Sequence, residues 1–101
     1  MLSIYVTCKD QAEAERIAAV LLEKRLIACA NIFPITSLYR WKGKREKAKE
    51  TAMLLKTKKG KFREIAAIIR KHHSYQVPCI CAGEISEVSK GYAAYLEKEV
   101  V

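Results

Sequence analysis

The chain has 101 residues, half of them apolar, with four glycines and two prolines, a composition that excludes disorder and collagen-like repeats. At this length one core and one domain are expected, spanning residues 1–101. The net charge of +8 is concentrated: residues 40–63 hold eleven Lys or Arg against two acids, Glu46 and Glu50, a run that suits either a solvated hairpin or an anionic partner.

Leu2, Ile4, Val6 and Cys8 alternate with Ser3, Tyr5 and Thr7, the period of a strand. This start shows neither the basic flank nor the apolar run of a leader peptide. No stretch approaches the roughly 20 apolar residues of a membrane helix. A cytoplasmic chain without a membrane segment is therefore expected. The cysteines, Cys8, Cys29, Cys79 and Cys81, are read as reduced small hydrophobes.

Asp10 to Glu13 has the form of a capping box, and Ala14, Ile17, Ala18, Leu21 and Leu22 make the apolar stripe of a helix that runs to about Lys24. A second strand follows from Leu26. Pro34 removes a ladder donor, which predicts an edge position or a bulge. Residues 35–41 alternate cleanly, Lys42-Gly43-Lys44 is a turn, and Arg45 to Lys56 returns as a third strand. The two arms form a long β-hairpin with a basic tip.

Thr57 is expected to cap a second helix whose apolar face is Phe62, Ile65, Ala66 and Ile69. Pro78 precludes continuation, a fourth strand is predicted from Val77 to about Ile85, and a short helix from Ser89 to Glu99. The order β-α-β-β-α-β plus a C-terminal helix specifies an α+β, ferredoxin-like antiparallel sheet with both main helices on one face. The second face should then be polar. Strand three is instead apolar on both sides, through Ala52 and Leu54 and through Met53 and Leu55. Further copies of the chain are expected to cover it.

No phosphate loop, nucleophile elbow or zinc-protease motif is present, so an enzyme is not expected. Cys79-Ile80-Cys81 has neither thioredoxin nor zinc-ribbon spacing. The third strand lacks the aromatic residues of an RNA recognition motif, which argues against nucleic acid. His72 and His73, the only histidines, fall near the apolar face of the second helix's last turn. They read either as helix C-terminal partners or as metal ligands. The topology brings them to the end of the sheet that holds Cys8 and Cys79, and imidazole with thiolate suits copper or zinc.

Leu21 to Asn31, then Ser37-x-Tyr39-x-Trp41-x-Gly43-Lys44, Glu50, Lys56-Thr57, and His73-Ser74-Tyr75-Gln76-Val77-Pro78 together resemble the CutA divalent-cation tolerance proteins along the whole chain. The resemblance implies a homotrimer with hairpins exchanged between subunits, and binding of divalent cations, Cu²⁺ in particular. The metal ligands it implies are His72 and His73; Cys8, on the strand face where the family has a cysteine, is read as the third donor. The family's strand-one cysteine position falls on Val6, two residues before Cys8, and Ser74 replaces a proline. The alternative is a signalling trimer resembling the PII regulators, with an anionic small molecule or a protein partner held between subunits by Tyr39, Trp41, Glu50 and Lys56.

Overall fold

A computed structural model describes all residues, Met1–Val101. The elements run β1 (Leu2–Cys8), α1 (Gln11–Glu23), β2 (Cys29–Trp41), β3 (Lys44–Thr57), α2 (Phe62–His72), β4 (Ile80–Glu84) and α3 (Lys90–Glu99). The four strands form one antiparallel sheet in the order β2-β3-β1-β4. This is the ferredoxin-like arrangement expected from the sequence.

Local chemistry accounts for most boundaries. Asp10 caps α1 by accepting the Glu13 amide at 2.9 Å. The reciprocal half of the capping box is altered: Glu13 takes the amide of Lys9, not that of Asp10. At the other end Arg25 has φ 56°, and the amides of Arg25 and Leu26 return to the carbonyls of Leu22 and Leu21. That is a left-handed helix stop usually filled by glycine. Here the Arg25 guanidinium is held by the carbonyls of Lys98 and Glu99, which ties α3 to the end of α1. At the hairpin tip Lys42 and Gly43 both have positive φ, the two-residue turn that matches strand twist. Pro34 sits in β2, an edge strand, where its missing N–H costs no ladder bond.

Two expectations are corrected. Thr57 does not cap α2. Its hydroxyl is buried and donates to the Leu26 carbonyl at 2.6 Å, and α2 begins five residues later. β4 starts at Ile80, not Val77: residues 74–77 form bends, and pairing with β1 begins at Ile80.

The helix-covered face of the sheet supplies Ile4, Val6, Cys8, Met53 and Leu55 to a core completed by Ala14, Ile17, Leu21, Ile65 and Ile69. The opposite face is only partly covered. At one end α3 lies on it, with the Lys56 ammonium 5.7 Å from the centre of the Tyr92 ring. β1 pairs with β3 no further than Thr51, so the hairpin beyond Glu50 projects from the sheet and lengthens the molecule to 45 Å. Leu38, Tyr39 and Trp41 on that projection are 69%, 45% and 53% exposed.

Candidate functional site

At the C-terminal end of β1 the chain gathers three metal-type donors. Cys8, Glu13 and His73 each place a ligand atom within 4.8 Å of the other two, and all three side chains are buried. Cys8 is the last core residue of β1, and Glu13 stands in the first turn of α1. His73 follows the end of α2. Its backbone is extended (φ −86°, ψ 142°), which turns the ring away from the helix axis and toward β1.

The hydrogen bonds define the state of each group. The Tyr75 amide donates to His73 Nδ1 at 3.0 Å, so Nδ1 carries a lone pair. Nε2 then carries the hydrogen and donates to the Thr7 carbonyl at 2.8 Å. Glu13 accepts the amides of Lys9 at 3.0 Å and Ser74 at 2.8 Å, one on each carboxylate oxygen. Burial alone would raise the Glu13 carboxyl. The amides of Lys9 and Ser74 and the Ser74 side chain outweigh it and hold the group below its usual range. Cys8 is driven the other way: burial first, then the charges of Glu13, Asp10 and Glu50, push its thiol up to about 12. The resting cluster is therefore a carboxylate, a neutral imidazole and a protonated thiol.

An ion bonded at about 2.0–2.3 Å would draw these three donors inward by roughly 1 Å and displace the thiol proton. Sulfur, nitrogen and carboxylate oxygen together form a donor set for a borderline divalent cation. The structure thus brings together Cys8 and His73 of the expected ligands. His72 ends α2 and is not in the cluster. Glu13 is in it. The sequence marks Glu13 only as a capping residue, because its second partner, Ser74, lies 61 positions away.

On the other face of the sheet lies a cleft of about 610 Å³, lined among others by Tyr39, Trp41, Glu50, Tyr75 and Cys79. Three of the four residues expected to form an inter-subunit cleft are therefore adjacent. Lys56 is not: it lies under Tyr92 at the opposite end of the face. Glu50 is the only charged residue lining the cleft, and its carboxylate accepts the Tyr75 hydroxyl at 2.5 Å. Burial and that carboxylate push the Tyr75 phenol well above its usual range. Within one chain the cleft offers a ligand a single charged group, the Glu50 carboxylate.

Comparison with known proteins follows the same line. The family model of the CutA1 divalent ion tolerance protein matches residues 2–99. The divalent-cation tolerance protein CutA of Archaeoglobus fulgidus is 47% identical over 97 residues, covering 96% of this chain and 95% of that one. The solved structure of the periplasmic divalent cation tolerance protein CutA from A. fulgidus has a TM-score of 0.97 at 46% identity and covers both chains fully. CutA1 from Pyrococcus horikoshii gives 0.96 at 35% identity, over 100% of this chain and 99% of that one. The periplasmic description of so similar a protein overturns the cytoplasmic location expected from the sequence. That expectation rested on free cysteines and the absence of a leader, neither of which fixes a compartment.

Proposed function

The chain belongs to the CutA1 divalent ion tolerance family, and from that premise we propose that it binds a divalent cation, Cu²⁺ foremost, through Cys8, Glu13 and His73. The supporting observation is the convergence of three buried donors from β1, α1 and the segment after α2. The ion is cargo to be bound, and the residues perform separate parts. Cys8 supplies a soft sulfur once its proton is displaced, Glu13 supplies charge, and His73 supplies nitrogen when Nδ1 exchanges the Tyr75 amide for the ion. The Ser74 amide keeps Glu13 oriented throughout.

The assembly is a homotrimer in this reading. The projecting hairpin and the partly covered sheet face carry Phe33, Leu38, Tyr39 and Trp41, an apolar set that a second copy of the same chain would bury. Light scattering is expected to give three times the 11.5 kDa chain mass. A mass of one chain at micromolar concentration would exclude the trimer.

The metal assignment is tested by anaerobic Cu²⁺ titration of the reduced protein. Cys8→Ser and His73→Ala are each expected to weaken binding by at least about tenfold, whereas His72→Ala leaves it within about twofold. Equal losses in the two histidine variants would instead support a His72–His73 pair.

A further inference from the structure

The segment between α2 and β4 is held in place by side chains. Residues 74–77 form bends, and none of the backbone–backbone bonds outside the helices and strands involves them. The Ser74 amide donates instead to Glu13 Oε2 at 2.8 Å and the Tyr75 amide to His73 Nδ1 at 3.0 Å. The Tyr75 hydroxyl donates to Glu50 Oε2 at 2.5 Å. The first two acceptors belong to the inner donor cluster. The third lines the cleft on the other face of the sheet.

Glu50 stands at the root of the projecting hairpin. β1 pairs with β3 only as far as Thr51, so the next residue, Glu50, has β2 as its one strand neighbour. In that pairing Ile35 faces Glu50, Tyr39 faces Glu46 and Trp41 faces Lys44. Strand alternation then puts Tyr39 and Trp41 on the same face as Glu50. Tyr75 therefore links a donor of the inner cluster to the root of the hairpin within a single residue, amide on one side and phenol on the other. Its ring centre is 4.9 Å from that of His73.

The two ties act against ion binding. On the reading of the inner cluster as a divalent-ion site, on which this inference rests, His73 offers Nδ1 only by giving up the Tyr75 amide. A freed amide has to find another partner, which moves residue 75. The phenol, tied to Glu50, resists that movement. We propose that Tyr75 is a positioning residue that couples the inner cluster to the hairpin: the Glu50 bond keeps the Tyr75 amide on His73, and exchange of that amide for an ion loosens the bond at the hairpin root. The coupling is reciprocal, so whatever strengthens the Tyr75–Glu50 bond weakens ion binding by the same factor. It needs no residue of the cleft open to solvent, and it operates with a second copy of the chain lying over the cleft.

Zn²⁺ is the probe, a borderline divalent ion without redox chemistry. Trp41 is the only tryptophan in the chain, and its emission reports on the cleft. The reduced, full-length protein is titrated by calorimetry, with Trp41 emission followed in parallel, in the Cys79→Ser Cys81→Ser background that removes the exposed thiols. Emission should change in step with the filling of one site per chain, a site that His73→Ala removes. Tyr75→Phe should bind Zn²⁺ about 2- to 10-fold more tightly, the range of one net hydrogen bond, with most of the emission change gone. In a Glu50→Ala background, where the bond is already absent, Tyr75→Phe should alter affinity by less than about twofold. Circular dichroism verifies the fold of each variant. Equal or weaker binding in Tyr75→Phe at an intact His73-dependent site would overturn the coupling alone, as would an emission change that this variant leaves unaltered. Absence of Zn²⁺ binding, or binding indifferent to His73→Ala, would overturn the divalent site and the coupling with it.

Discussion

The two faces of the sheet hold thiols in opposite circumstances. Cys8, under the helices, is buried beside a carboxylate and an imidazole, with its proton held to about pH 12. Cys79 and Cys81, on the other face, are exposed at an edge strand with one carboxylate nearby. Burial gives the inner site a fixed set of three different donors, at the cost of availability: every neighbour of Cys8 already has a hydrogen-bond partner.

Glu13→Gln attacks the inner site at its charge. The amide side chain offers one acceptor to two backbone amides and turns a donor toward the other, so about 2–3 kcal/mol of stability should be lost at pH 7 in urea unfolding. The pH dependence has a defined sign. The folded carboxyl lies below its usual range, so its stabilising contribution is present above the unfolded carboxylate range and disappears as pH falls through the folded value. The variant should therefore lose least, relative to the parent, near pH 3. A constant deficit from pH 7 to 3 would show that Glu13 acts only by filling space.

Tyr75→Phe probes the outer face. Removing a hydroxyl donated to Glu50 in a partly exposed cleft should cost about 1 kcal/mol. A value near zero would mean that water replaces the bond freely.

Alkaline titration compares the faces directly. Cys8 has a folded value near 12 against an ordinary 9.0, so its contribution is present below pH 9 and is lost as pH rises from about 9 to 12. Cys8→Ala should flatten the alkaline limb of the stability curve. In the native protein at pH 8, Cys79 and Cys81 should react with a thiol reagent quickly and Cys8 only at the rate of unfolding. Rapid labelling of Cys8 would remove the contrast.

The smallest effect belongs to Cys79→Ser and Cys81→Ser, each within about 0.5 kcal/mol of the parent because both residues are exposed. A larger loss would mean that the outer pair is part of the packed structure.

Much of this was legible in the sequence where the signals are local. Alternation in Leu2 to Cys8, the Asp10 cap and the Lys42-Gly43 turn each specify their own element. Thr57 misled because a threonine before a helix reads as a cap, while a carbonyl 31 residues away, Leu26, takes its hydroxyl. The two histidines looked equivalent at helical spacing. They separate because α2 ends between them, and the Tyr75 amide and Thr7 carbonyl fix only the second. Glu13 escaped notice for the same kind of reason: its local role hides a partner from the other half of the chain. Lys56 was grouped with Tyr39, Trp41 and Glu50 as a residue of the same hairpin, but the strand carries it to the far end of the face, under Tyr92.

The central claim is that the inner cluster binds the divalent ion. Its most direct test is an electron paramagnetic resonance titration with Cu²⁺, anaerobically, in the Cys79→Ser Cys81→Ser background with and without His73→Ala. One ion per chain with nitrogen and sulfur coordination, lost when His73 is replaced, is the predicted result. A signal unchanged by His73→Ala, or one showing only oxygen ligands, would contradict it.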